Sequence, residues 1–158
     1  MKTLQSRRQF WPALTLGLAA WFDVGVARSL EDDGPHVTLK RFLAAFNALD
    51  WQAFQDCLAE DVSLFNPDIP EAASLHRLDG RVEVESSFRK VFAVSRNAPG
   101  AAGPHIVPER TRVQQFGDTA VATFEFQRSG SSFGRRTVVL NRGVAGWKIV
   151  HIHASNIG

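Results

Sequence analysis

The sequence has no tyrosine, a single cysteine and, beyond its first residues, no excess of either charge. Without tyrosine, no phenolic hydroxyl is available to donate a hydrogen bond in a site. The one cysteine, Cys57, cannot form a disulfide within the chain. It lies in the amphipathic stretch WQAFQDCLAEDV between Asp56 and Glu60, whose negative charges would raise its pKa. We therefore interpret Cys57 as a packing residue rather than a reactive nucleophile.

Basic residues outnumber acidic ones only because of the N-terminal segment. The chain contains 18 Lys and Arg and 16 Asp and Glu. Residues 1–27 contain Lys2, Arg7, Arg8 and Asp23, so the remainder has 18 − 3 = 15 basic and 16 − 1 = 15 acidic residues. A neutral remainder without a basic stripe argues against a nucleic-acid partner.

The first 27 residues have the layout of an export signal. Twin arginines in SRRQF precede the apolar stretch WPALTLGLAAWFDVGVA, which ends in a small-x-small pattern at Gly25 and Ala27. Such a pair is typical of the twin-arginine route, which carries folded proteins across the bacterial inner membrane. We predict a cleaved signal and a periplasmic or secreted protein without stable membrane insertion. A retained membrane anchor is the alternative, which Asp23 and the short apolar run disfavour.

After a polar linker over residues 28–36, helical patterns give way to strand patterns. Apolar spacing predicts helices in VTLKRFLAAFNALD, in WQAFQDCLAE after a cap at Asp50, and in RVEVESSFRKVFAVSRN after a cap at Asp79. DVSLFN predicts a short strand, and four more are predicted in HIVPERTRVQQF, TAVATFEFQ, RRTVVLN and WKIVHIHAS. The order predicts one α+β domain over residues 37–158, with three helices on one face of a curved antiparallel sheet enclosing a conical cavity.

This arrangement and the terminal WKIVHIHAS together resemble the nuclear transport factor 2-like superfamily, and specifically its SnoaL-like branch. The similarity is strongest in LDGRVEVESSFRKVF, VQQFGDTAVATFEF and GWKIVHIHASN, and it covers about residues 37–156. The resemblance implies the cone-shaped, ketosteroid isomerase-like fold and a homodimer formed through the sheet. It implies no single function, because the superfamily contains isomerases, cyclases, dehydratases, ligand binders and oligomerisation domains.

The stretch LKRFLAAFNALDWQAFQDCLAEDVSLFNP is similar to the opening of ketosteroid isomerase. That enzyme needs a carboxylate base before the proline, a tyrosine on the first helix and a protonated aspartate on a later strand. In this sequence Asn66 occupies the base position, Phe42 occupies the tyrosine position, and RRTVVLN contains no acid. The comparison therefore predicts that ketosteroid isomerase chemistry is absent.

Two histidines, His151 and His153, lie two residues apart in the closing strand. Strict alternation would place both on the face of Trp147 and Ile149, toward the cavity if Trp147 packs against the helices. An imidazole titrates near neutral pH, which suits acid–base catalysis by an isomerase, cyclase or dehydratase. The alternative is that the two histidines form a polar surface of the cavity and hydrogen-bond neighbouring groups or a ligand without any catalysis.

Metal binding by His151 and His153 would need a third ligand. Asp68, His76 and Glu125 are the available sources, and none has diagnostic spacing, so we predict no metal and no cofactor.

Other polar candidates have orientations that the sequence leaves open. Asp68 is either a displaced base or solvated loop charge. Glu125 is an acid–base candidate if it faces inward and inert if it faces outward. Asn66 either hydrogen-bonds a ligand or stabilises the turn that follows it. Arg135 and Arg136 begin a strand, with binding of a substrate anion as the alternative role.

Aromatic residues dominate the predicted core, and some of them would form the apolar wall of a pocket. We accordingly predict an exported SnoaL-like domain that binds a small, mainly apolar molecule. An enzyme using the paired histidines and an oligomerisation or accessory domain are the alternatives. The predicted aromatic wall residues are Phe42, Phe46, Trp51, Phe88, Phe92 and Trp147.

Overall fold

The computed structural model of the chain describes residues 34–66, 77–97, 105–128 and 130–157. The predicted export signal, Asp68 and His76 lie outside these residues. The predicted α+β class is confirmed. None of the helices within the described ranges is long and apolar enough to span a membrane. In chain order the elements are α1 (Pro35–Ala48), α2 (Trp51–Gln55), β1 (Leu58–Phe65), β2 (Leu78–Asp79), α3 (Arg81–Asn97), β3 (Glu109–Phe116), β4 (Thr119–Gln127), β5 (Phe133–Gly143) and β6 (Gly146–Ile157).

The second helix is shorter than predicted. Asp50 caps α2 as expected, because its carboxylate accepts a hydrogen bond from the Ala53 N–H at 3.1 Å. The helix ends at Gln55, and β1 begins three residues later, where a helix to residue 60 was predicted. The carbonyl of Cys57 accepts from the Ile149 N–H at 2.8 Å, so pairing with β6 replaces the helical pattern there.

The predicted cap of the third helix is wrong. The Asp79 carboxylate accepts a hydrogen bond from Nε of Arg77 at 2.6 Å instead of capping α3. Gly80 adopts a φ of +84°, and its carbonyl accepts from the Val84 N–H at 3.2 Å. A residue without a Cβ suits this left-handed backbone, so the turn into α3 depends on Gly80.

One sheet contains all six described strands, in the order β2-β1-β6-β5-β4-β3. Neighbouring strands are antiparallel except β1 and β6, which are parallel. The sheet is therefore mainly antiparallel, as predicted, and it contains one parallel pair that the sequence did not predict. Because β1 and β6 are far apart in sequence, no local turn indicates their pairing.

The helices pack against one face of the sheet, called the inner face below. Phe54 is fully buried at the centre of the core, with ring centroids 4.8 Å from Phe88 and 5.0 Å from Phe42. The buried inner-face residues of β4 are Ala120, Ala122, Phe124 and Phe126. The opposite, outer face carries the residues between them.

A β-bulge in β6 reverses the alternation of its side chains. Leu140 of β5 pairs with Ile149, but the preceding Val139 pairs with His151, so Val150 is an extra residue in β6. Trp147 and Ile149 are buried before the bulge, and the buried residues after it are Ile152 and Ala154. An extra residue of this kind bends the strand and moves every later side chain to the other face.

Candidate functional site

A cavity of about 390 Å³ lies between the helices and the inner face of the sheet. Its walls come from α1, α3, the ends of β1 and β4, and the inner face of β5 and β6. The described residues that line it are Phe42, Leu43, Phe46, Leu64, Asn66, Phe88, Val91, His105, Ile106, Phe124, Phe126, Gln127, Arg128, Arg136, Val138, Ile152 and Ala154.

The apolar part of the cavity follows from helical and strand periodicity. Phe42 and Phe46 lie one turn apart on α1, and Phe88 and Val91 lie three residues apart on α3, so each pair shares a face. The bulge at Val150 brings Ile152 into this wall. A wall of aromatic and aliphatic side chains favours an apolar ligand body.

The polar groups of the cavity come from the ends of strands. Asn66 directly follows β1, Gln127 ends β4, and Arg128 follows it. Arg136 lies near the start of β5, beside the C-terminal end of β6. His105 comes from the segment before β3. The cavity is therefore amphipathic, with an apolar body and polar groups at the strand ends.

Arg136 faces inward because it alternates in phase with the buried Val138 and Leu140. Its Nη1 donates hydrogen bonds to the carbonyls of Arg135 at 2.8 Å and Ser155 at 3.1 Å. Its guanidinium carbon lies 4.8 Å from the centre of the Phe126 ring. These contacts hold the guanidinium in one orientation against the cavity wall.

Gly134 makes the position of the Phe126 ring possible. A Cβ placed at Gly134 would lie 2.3 Å from the Phe126 Cζ atom, which no side chain tolerates without movement. The ring therefore lies directly across the backbone of β5 and contacts the Arg136 guanidinium.

Asn47 of α1 fixes the segment that carries His105. Its Nδ2 donates to the carbonyl of Ile106 at 2.9 Å, and its Oδ1 accepts from the Ile106 N–H at 2.8 Å. The amide side chain thus satisfies both backbone groups of Ile106, as a neighbouring strand would.

The expected placement of the paired histidines is wrong. After the bulge at Val150, His151 and His153 point to the outer face, and neither lines the cavity. Nδ1 of His151 is 2.8 Å from the Ser63 hydroxyl oxygen, and the Phe65 ring centroid is 5.5 Å from that of His153. Burial, with smaller contributions from the positive charges of neighbouring side chains, lowers the pKa of His151 below 6.5.

Glu125 also lies on the outer face, because Phe124 and Phe126 occupy the inner one. Its carboxylate forms ion pairs with Arg110 and with Nε of Arg135, the latter at 3.5 Å. The outward alternative for this residue is therefore the one observed.

Three of the predicted wall residues lie in the core away from the cavity. Trp51 is half-buried and holds the Arg89 guanidinium carbon 4.2 Å from its ring centre. Phe92 packs 5.3 Å from the Trp51 ring, and Trp147 is buried before the bulge. Phe42, Phe46, Phe88 and Asn66 do line the cavity.

Cys57 is completely buried, and its Sγ lies 3.3 Å from the Ala53 carbonyl. Burial is the main cause that raises the pKa of its thiol, and the nearby Asp56 adds to it. A thiol with a raised pKa is a poor nucleophile, which agrees with a packing role. In the described part of the chain, no three His, Cys, Asp or Glu side chains come together to hold a metal.

Anion binding by Arg135 and Arg136 was predicted only as an alternative role, and Arg136 was not placed in the cavity. Arg136 was placed at a strand start, although its alternation with Val138 and Leu140 marks an inward position. The bulge also had a signal: Trp147 and Ile149 are apolar at odd positions, whereas Ile152 and Ala154 are apolar at even ones. Nothing in the local pattern indicated His105 or Arg128.

Comparisons with known proteins identify relatives of this arrangement. A family model described as SnoaL-like domain matches residues 37–157. A proposed dehydratase of the nuclear transport factor 2-like family from Streptomyces avermitilis superposes with a TM-score of 0.63 at 20% identity, over 81% of this chain and 96% of that one. A proposed ketosteroid isomerase from Parabacteroides distasonis gives 0.60 at 22% identity, over 82% and 92% of the two chains.

The CaMKII hub of S. rosetta gives a TM-score of 0.59 at 26% identity, over 78% of this chain and 98% of the hub. No match was found among curated proteins. The structural neighbours confirm the predicted nuclear transport factor 2-like fold. Since the family model covers most of the sequence, the chain belongs to the SnoaL-like domain family.

Proposed function

We propose that this SnoaL-like domain binds a small, mainly apolar molecule in the inner cavity and does not transform it. The family includes ligand-binding proteins as well as isomerase- and dehydratase-type proteins. The observation that carries the proposal is the lining of the cavity, where aromatic and aliphatic walls meet a small set of polar groups. Such a cavity of about 390 Å³ suits a ligand smaller than a typical drug.

The identity and placement of the groups expected to move protons support binding rather than catalysis. Phe42 and Asn66, which replace the tyrosine and the carboxylate of ketosteroid isomerase, both line the cavity. His151 and His153 lie on the other face of the sheet. A catalytic alternative would have to use His105, the one imidazole among the described lining residues.

The binding proposal is tested with N-phenyl-1-naphthylamine, a neutral probe whose fluorescence rises in apolar sites. Ala154→Phe and Val91→Phe each add an aromatic ring to the cavity wall and should weaken probe binding at least about tenfold. His153→Ala, at the neighbouring position on the outer face, should bind like the parent protein. Parent-like affinity in folded Ala154→Phe and Val91→Phe variants, or lost affinity in His153→Ala, would refute this site.

We also propose that the domain forms a homodimer through the outer face of the sheet. Two of the similar structures are a CaMKII hub and a proposed CaMKII association domain from Thiobacillus denitrificans, which supports self-association. The outer face presents Val121 and Val139 side by side, next to His151. A dimer contact there would account for the apolar residues on that face.

The dimer is tested by sedimentation velocity. Val139→Arg should give monomers, whereas Val94→Arg, the same substitution at an exposed position of α3, should leave the dimer intact. A dimer in Val139→Arg, or a monomeric parent protein, would rule out this interface.

We further propose export by the twin-arginine route, which the sequence of residues 1–27 supports. A folded reporter fused to residues 1–35 should reach the periplasm, and Arg7→Lys with Arg8→Lys should stop it. Unchanged export by the double variant would remove the twin-arginine assignment.

A further inference from the structure

We propose that the cavity takes an anionic ligand, a monocarboxylate with an apolar body, whose carboxylate lies at the polar end beside Arg136. The inference rests on the proposed function, because it concerns the same cavity and specifies the chemistry of its ligand. The ligand then has a defined charge and a defined orientation in the cavity.

The first support is the type of group at the polar end. The described lining residues there include the guanidinium groups of Arg136 and Arg128, the imidazole of His105 and the amide of Asn66. Amide nitrogens and guanidinium groups donate hydrogen bonds, and a guanidinium matches the two oxygens of a carboxylate in one plane. A donor-rich end of this kind favours an acceptor with negative charge.

The second support is the fixed orientation of Arg136. Nη1 is held by the carbonyls of Arg135 and Ser155, and the flat guanidinium packs over the Phe126 ring. Gly134 provides the space in which that ring lies. A side chain held in place before the ligand arrives loses little rotamer freedom on binding, so more of its interaction energy appears as affinity.

The third support is that β5 places two adjacent arginines on opposite faces of the sheet. Arg135 lies on the outer face, where its Nε is 3.5 Å from the Glu125 carboxylate. Arg136, one residue later, is turned into a cavity whose remaining wall is mostly apolar. One strand therefore places one arginine on each face, which provides an internal control for the role of the inner one.

The aromatic residues in the lining define the ligand's body. Phe42, Phe46 and Phe88 belong to one aromatic cluster, with T-shaped packing of Phe46 on Phe88 at 6.1 Å. An aromatic or branched aliphatic body would contact these rings while the carboxylate stays at the strand ends.

The experiment uses two probes that differ in one group, 4-phenylbutyrate and 4-phenylbutyramide. Their affinities are measured by displacement of N-phenyl-1-naphthylamine and by calorimetry. The acid should bind at least about tenfold more tightly than the amide, because a hydrogen bond to a charged group contributes more than one between neutral groups. Equal affinities with bound N-phenyl-1-naphthylamine would overturn the anion inference and leave the proposed function standing. If neither the neutral probe nor the acid binds, both proposals fail.

The role of Arg136 is then tested by Arg136→Gln with Arg135→Gln as the matched control. Arg136→Gln should abolish the preference for the acid and leave the affinity for the amide unchanged. Arg135→Gln removes the same charge from the same strand and should retain the preference.

An equal loss of both affinities in Arg136→Gln would show a structural role and overturn the proposal. If that variant does not fold, Arg136→Lys replaces it. Lysine keeps the charge but lacks the planar fork, so the preference for the acid should fall several-fold. An unchanged preference, or an equal weakening of both ligands, would contradict the inference.

Discussion

Replacing Gly134 with alanine tests the inner wall of the cavity by a single methyl group. The added Cβ would lie 2.3 Å from Cζ, 2.4 Å from Cε1 and 3.0 Å from Cε2 of Phe126. Ordinary contact begins at 3.4 Å, so the tip of the ring must withdraw by about 1 Å. The cavity beside Phe126 gives the ring space to move, but the movement changes its packing against Arg136.

We expect Gly134→Ala to lower the free energy of unfolding by about 1–3 kcal/mol relative to a matched glycine substitution, the range for an overpacked site. Gly143→Ala is that control, since it lies in the same strand and its added Cβ meets nothing within 4 Å. It should be neutral or stabilising by up to about 1 kcal/mol, because alanine restricts the unfolded chain. Urea unfolding followed by tryptophan fluorescence measures both variants.

A second variant, Phe126→Leu, removes the tip of the ring that the added methyl group would meet. In the Phe126→Leu background, Gly134→Ala should cost at least about 1 kcal/mol less than in the parent protein, which is the coupling expected between residues in contact. Equal stability of Gly134→Ala and Gly143→Ala, or additive effects in the double variant, would refute the described packing of Phe126 across β5.

Three further predictions concern other parts of the structure. The pKa of His151 is lowered in the folded state, so the unfolded chain binds more protons than the folded one as the pH falls past 6.5. The free energy of unfolding should therefore decrease on acidification, and it should decrease less in His151→Asn than in the parent protein. Melting temperatures between about pH 7.5 and pH 5.5 measure this, and equal decreases would contradict it. Asn47→Ala should cost about 1–3 kcal/mol, since it removes both partners of the Ile106 backbone, and an unfolding free energy like the parent's would show that the segment holds without it. Thr38 Oγ1 is buried without a hydrogen-bond partner among the described residues, so Thr38→Val should be neutral or stabilising by about 1 kcal/mol in chemical denaturation; a clear loss would reveal a bonded hydroxyl.

Periodicity in the sequence was sufficient to predict the helices and strands whose interacting residues lie close together in the chain. The predicted third helix, RVEVESSFRKVFAVSRN, coincides with α3, and TAVATFEFQ coincides with β4. Both have apolar residues on one face and turn residues at their ends, so their hydrophobic pattern and their local propensity agree. Asp50 likewise caps α2 as predicted, because its partner lies three residues away.

Features that depend on residues far apart in the chain could not be predicted from the periodicity of the sequence. The end of α2 is set by the Cys57 carbonyl, whose partner Ile149 lies 92 residues later in the chain. The parallel pairing of β1 with β6 has no local signature. Tertiary hydrogen bonds override weak helix propensity in such segments.

The residues of the candidate site also divide into those that the local pattern predicts and those that it does not. The helical residues Phe42, Phe46 and Phe88 face the cavity, as their 3.6-residue periodicity predicts. The histidines were placed on the wrong face because one inserted residue, Val150, shifts the two-residue period of a strand. The same uncertainty of face left the inward position of Arg136 unpredicted, so anion binding was predicted only as its alternative role.

The central claim is that ligands occupy the inner cavity and not the outer face that carries the histidines. Methyl-selective carbon–proton NMR spectra of the protein titrated with 4-phenylbutyrate test it most directly. The claim predicts concentration-dependent shifts for the inner methyl groups of Leu64, Val138 and Ile152, with the outer methyl groups of Val121 and Val139 unaffected. Shifts confined to Val121 and Val139, or no shift in the inner set, would contradict it.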